Sequence, residues 1–139
     1  HMLKQLFAIA AFSLLSLTAT PALAQSIPVA DSNGDFARRT SHEKWIVVDR
    51  DANGLNCRWS SAMPTEWYAP DAQYPRMNIR DWNVVRRFPY NTVLVANMTP
   101  AGMVTMYDES NKPWLKVTIG DNDQICLVRA NNSFIRPLR

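Results

Sequence analysis

Residues 44–58 read Lys44-Trp45-Ile46-Val47-Val48-Asp49-Arg50-Asp51-Ala52-Asn53-Gly54-Leu55-Asn56-Cys57-Arg58. The first six are aromatic and β-branched between polar ends, the composition of a strand. Asp51-Ala52-Asn53-Gly54 supplies turn chemistry, because short carboxylate and amide side chains cap backbone amides and glycine accepts positive φ. From Leu55 the pattern resumes with period two, Leu55 and Cys57 on one face, Asn56 and Arg58 on the other. Strand, turn and strand follow one another with no helical period.

The pattern continues downstream. Trp82–Phe88, Thr92–Ala96, Met103–Tyr107, Trp114–Ile119, Ile125–Arg129 and Ser133–Ile135 are further strand candidates. Turn-like separators such as Pro89-Tyr90-Asn91 and Ser110-Asn111-Lys112-Pro113 lie between them. Short strands spaced by about ten residues predict a small all-β barrel or sandwich. Met63 to Pro75 holds Pro64, Pro70 and Pro75 together with Trp67, Tyr68 and Tyr74, and cannot be a regular helix.

Upstream of the strands the chain changes character twice. Gln25–Glu43 is mostly polar and small and reads as a flexible leader. Residues 3–24 read LKQLFAIAAFSLLSLTATPALA: a cationic start at Lys4, an apolar core from Leu6 to Leu17, then Ala22-Leu23-Ala24. That is the three-part pattern of a secretory signal peptide, with cleavage expected between Ala24 and Gln25. A membrane anchor would need about 20 apolar residues, more than this core supplies. His1-Met2 reads as a cloning remnant, so the expected organisation is 1–24 remnant plus signal, 25–43 leader and 44–139 domain, with an insertion at 63–81.

Length and charge exclude several classes. A chain of 139 residues falls short of a (β/α) barrel enzyme of roughly 250 residues. Its four glycines form neither GxGxxG nor GxxxxGK[ST]. Loss of Lys4 with the signal leaves 14 of the 15 basic residues against 12 acidic ones, a net charge of +2. That balance, with Arg38-Arg39 and Arg86-Arg87 as isolated basic pairs close to carboxylates, is not the clustered basic face of a nucleic-acid binder.

Cys57 and Cys126 are the two cysteines, and both lie in the exported part. An even count in an oxidising compartment favours one disulfide, two buried free thiols being the alternative. A bond closing a loop of this length stabilises by on the order of 4 kcal/mol in the chain-entropy model. With His42 as the one histidine of the mature chain, no zinc constellation forms.

The strand–turn–strand opening also resembles a known family. Trp45–Asp49 followed by Gly54-Leu55-Asn56-Cys57-Arg58 resembles the start of bacterial SH3-like (SH3b) domains, where a strand leads into Leu-Asn-Val-Arg; Cys57 stands for the valine. Asn83–Phe88 followed by Asn91–Val95 is similar to the next strand pair, with Asn91 in place of the turn glycine. Trp114-Leu115-Lys116-Val117 resembles the Trp-x-x-Val strand. Cys126–Arg129 through Phe134–Leu138 resembles the Gly-Trp-Val strand and closing turn, without its Gly and Trp. The match spans residues 44–138 and is most like secreted cyanobacterial members. It implies a partly open SH3-like barrel of five to seven short strands that binds cell-wall peptides or protein segments without catalysis and without a cofactor. It also supports the disulfide, since the Leu-Asn-x-Arg strand and the penultimate strand can lie side by side in such barrels.

Asp49-Arg50-Asp51-Ala52-Asn53-Gly54 matches the first half of a calcium loop, but position twelve is Ser60 rather than a bidentate glutamate. A tight turn capped by its own side chains is the simpler reading. His42 precedes the fold, and Glu43, Glu66, Asp71 and Asp81 are not placed around a cleft by their spacing, so no catalytic set is expected. The aromatic residues carry the functional expectation. Arg58, Trp59, Trp67, Tyr68, Tyr74 and Trp82 form either a peptide or envelope-ligand groove edged by arginines, including Arg76 and Arg80, or a plug folded onto the barrel. The expected protein is an exported binding module, secreted or periplasmic, with no membrane span after cleavage. The alternative is an assembly subunit that self-associates through a strand edge or the leader.

Overall fold

The computed structural model describes residues 26–64, 75–99, 102–121 and 124–139. The expected signal segment, and Trp67, Tyr68 and Tyr74 of the insertion, lie outside these residues. The architecture is all-β, as the sequence predicts. The strands are β1 (Lys44–Val47), β2 (Leu55–Trp59), β3 (Asn83–Phe88), β4 (Val93–Val95), β5 (Thr105–Tyr107), β6 (Pro113–Ile119), β7 (Gln124–Arg129) and β8 (Ile135–Pro137), with one 3-10 turn at Ile79–Asp81. Eight strands form where the family resemblance implies five to seven.

They make two antiparallel sheets, ordered β4-β1-β8 and β3-β2-β7-β6-β5. An isolated bridge between Ala96 and Val117 joins the sheets along one side. They do not close into a barrel, so the small all-β fold expected from the sequence takes the form of two sheets with an open side. β1 and β2 are therefore not a hairpin: β1 pairs with β4 and β8, while β2 pairs with β3 and β7.

The turn between β1 and β2 works as its residues dictate. The Asp49 carboxylate accepts from the Asp51 amide at 3.0 Å and the Asp51 carboxylate from the Asn53 amide at 2.8 Å. Gly54 has φ +83°, and a Cβ there would sit 3.0 Å from the Phe88 carbonyl oxygen, so only glycine fits. Asn91, at φ 70°, turns the chain from β3 to β4.

The main core lies between the sheets. Trp45, Val47, Leu94 and Ile135 from one sheet meet Leu55, Cys57, Leu115, Val117, Cys126 and Val128 from the other. The disulfide joins Cys57 on β2 to Cys126 on the adjacent β7, with Cα atoms 5.4 Å apart. A second cluster sits on the far face of the larger sheet. There the described ends of the insertion bring Met63, Ile79 and Trp82 against Met106, Trp114 and Leu127. A sheet with two apolar faces needs two covers, and Met63, Ile79 and Trp82 contribute to the second one.

The expected flexible leader is instead packed, over residues 26–43. Phe36 is only 5 % exposed and stands edge-on to Trp45 at 5.1 Å. Asp35 pairs with Arg129 at 2.6 Å and accepts from Asn131 at 2.9 Å. The Phe36 amide donates to the Ala130 carbonyl, and His42 bonds the Leu138 carbonyl oxygen at 2.6 Å. One aromatic and one carboxylate, each with a distant partner, hold a segment whose local composition reads as loop.

Candidate functional site

Of the six ligand-binding residues expected from the sequence, the structure describes three, Arg58, Trp59 and Trp82, and brings them together where β2 meets the start of β3, but with different exposures. Trp82 is 6 % exposed and packs in the second core, its indole donating to Asn78 Oδ1 at 3.2 Å. Among the described residues its ring is core and not surface. Arg58 is half-buried and donates to the Trp82 carbonyl at 2.8 Å, so its guanidinium ties β2 to the end of the insertion. Trp59 is different: it ends β2 opposite Asn83 and remains 40 % exposed. Arg76 stacks over the Tyr107 ring at 4.7 Å, and Arg80 approaches Glu109 only to 4.0 Å at an exposed site.

Trp59 belongs to a continuous surface along β3. This six-residue strand is one outer edge of the larger sheet, among the described residues pairs only with β2, and has largely exposed side chains. A register shift between Cys57 and Arg58 leaves Val85 as an extra residue, 44 % exposed. Such a bulge re-aims side chains at a sheet edge. Arg86 lies opposite Cys57 and Arg87 opposite Asn56. At the far end Tyr90 is 40 % exposed and carries Arg50, whose guanidinium sits 4.3 Å above the ring and bonds the hydroxyl at 3.0 Å. Beside Arg87 a polar depression of about 430 Å³ is lined by Asp51, Asn53, Gly54 and Asn56.

Sequence reasoning found Trp59 but missed Val85, Tyr90 and Arg50, and it treated Arg86-Arg87 as a solvated pair. The available signal was a strand with exposed residues at almost every position. In NVVRRF the alternation is broken by the bulge at Val85 and charged side chains follow, as in strands at a sheet edge.

Two buried charges lie behind the larger sheet. Asp108 accepts from the Trp114 indole and from the amides of Ser110 and Lys112, each at 2.9 Å. Burial alone would raise its pKa, but these hydrogen bonds and the Arg129 charge outweigh it and hold the carboxyl below the ordinary value. Lys116 is fully enclosed and donates to the Thr99 carbonyl at 2.8 Å. Burial lowers its pKa from 10.5 to about 8.

No group of three or more metal-ligating side chains occurs among the described residues, and none of their helices is long and apolar enough to cross a membrane. Neither a family model, nor a curated protein, nor a solved structure matches the chain.

Proposed function

We propose that the protein is an exported, SH3-like, non-catalytic binding module that recognises an extended peptide of the cell wall or envelope along β3. The edge of β3 carries this reading: six residues of strand that no described residue pairs on the outer side, flanked by an exposed aromatic at each end, Trp59 and Tyr90. A strand edge offers main-chain hydrogen bonds to an incoming strand, and exposed aromatics supply anchoring area at low entropy cost. The signal-like start and the disulfide support export to an oxidising compartment, secreted or periplasmic.

Selection from a displayed library of random decapeptides tests the reading. Binders are expected, and Trp59→Ala should weaken them about tenfold while leaving the melting temperature unchanged, as for an exposed interface anchor. A library that yields no binder overturns the proposal.

The same open edge favours a second reading, an assembly subunit that pairs β3 with β3 of another copy. Charge opposes it. Antiparallel pairing centred on β3 sets Arg86 and Arg87 opposite or diagonal to their own copies, and like charges there repel. Light scattering after size exclusion should return a monomer at all concentrations; a concentration-dependent dimer would favour assembly.

A further inference from the structure

The chemistry of the β3 edge restricts its partner further, and the restriction rests on the peptide-binding reading above. Arg86 and Arg87 are both exposed, and among the described residues neither makes an ion pair. The nearby carboxylates of Asp49 and Asp51 each accept a backbone amide of their own turn. The pairing through Arg86, Arg87 and Phe88 is regular, opposite Cys57, Asn56 and Leu55. Consecutive strand residues point to opposite faces, so the two guanidiniums flank the edge, one above the sheet and one below.

A strand added alongside β3 presents its own consecutive side chains in the same alternating way. Two neighbouring acidic residues would therefore meet the two arginines, one on each face. Acidic residues separated by one position would both fall on a single face and leave one arginine unmatched. We infer that the partner is an extended segment carrying two consecutive acidic residues, which adds as a strand to β3 with its carboxylates on Arg86 and Arg87 and its ends near Trp59 and Tyr90. Six strand residues span about 20 Å, so a segment of six to eight residues fills the edge.

The test uses fluorescein-labelled octapeptides of threonine and valine, read by anisotropy. One carries a central Glu-Glu pair, one the same two glutamates separated by a threonine, and one Lys-Lys. A fourth is the Glu-Glu peptide N-methylated at alternate amides. The Glu-Glu peptide should bind about two- to fivefold more tightly than the separated pair, the range that a cross-strand charge pair supplies. The Lys-Lys peptide should bind weakest, the advantage of Glu-Glu should shrink in high salt, and methylation should abolish binding. In R86E/R87E, whose substitutions lie at exposed positions and leave the melting temperature in place, the order of Glu-Glu and Lys-Lys should reverse. Val93→Thr, on the other sheet, serves as an unaffected control. Equal affinity for paired and separated glutamates overturns the acidic-pair inference and leaves strand addition standing. Equal affinity of the methylated peptide shows plain charge attraction and overturns strand addition. If the Glu-Glu peptide fails while library peptides bind, the inference falls alone; if both fail, the peptide-binding reading falls with it.

Discussion

A lysine at the centre of a strand usually marks its solvent face, and in Trp114-Leu115-Lys116-Val117 the alternation places Lys116 opposite the core residues Leu115 and Val117. The structure encloses it instead, against the carbonyl of Thr99. The sequence reading missed this because the cover comes from a different loop, and period-two patterning reports only which face a residue is on. The enclosure has a measurable consequence. The folded-state pKa, about 8, lies below the ordinary 10.5. Between those values the unfolded chain binds more protons than the folded one, so stability should rise with pH from about 8 toward 10.5. That stability is complete above the upper value and is lost as pH falls to the lower. Urea midpoints of the wild type and of Lys116→Met, measured from pH 7 to pH 10.5, should show the rise only in the wild type. Parallel curves would mean that Lys116 does not titrate as burial requires.

At the level of elements, all eight strand stretches were legible, with ends shifted by at most two residues. Each is bounded by residues whose backbone chemistry ends a strand, such as Gly54 and Asn91. Their grouping was not legible. Lys44–Val47 and Leu55–Trp59 look like a hairpin, yet they enter different sheets because each finds its partners elsewhere in the chain. The candidate site was half legible for the same reason. Aromatic composition pointed to Trp59, but whether a tryptophan is exposed or buried depends on the sheet face beneath it, and Trp82 lies in the second core. The leader shows the largest gap between local composition and tertiary contact. Asp31-Ser32-Asn33-Gly34-Asp35 has turn chemistry, and the burial of Phe36 against Trp45 is the largest apolar contact that fixes it, beside the Asp35–Arg129 pair. Phe36→Ala should therefore cost about 3 kcal/mol, the usual loss for a buried phenylalanine. Amide exchange across residues 30–42 should accelerate in the same variant. A loss below about 0.5 kcal/mol, within the range of ordinary surface changes, would return the segment to the status of a flexible leader.

The whole molecule is held by contacts that are distant in sequence. β1 pairs with β8, β2 with β7, and the leader reaches Arg129 and Ala130 near the other end. Such non-local pairing requires the chain to close long loops before any contact rewards the closure. The Cys57–Cys126 bond, between residues 69 apart, removes one of those closures from the cost of folding. In the chain-entropy model that is worth on the order of 4 kcal/mol, a large part of the 5–15 kcal/mol that holds a typical domain together. Both cysteines are fully enclosed between the sheets. A thiol reagent therefore has no path to the sulfur atoms while the sheets stay packed. Two outcomes follow from one arrangement. Reduced protein, or Cys57→Ala/Cys126→Ala, should melt roughly 15–30 °C lower than the oxidised form, at 4–8 °C per kcal/mol for a domain of this size. Reduction by dithiothreitol under native conditions should be slow and should accelerate with urea in step with unfolding, because the bond is reached only in the opened state. Rapid native-state reduction with little change in melting temperature would show that the disulfide is peripheral. The two sheets would then be held by side-chain packing alone.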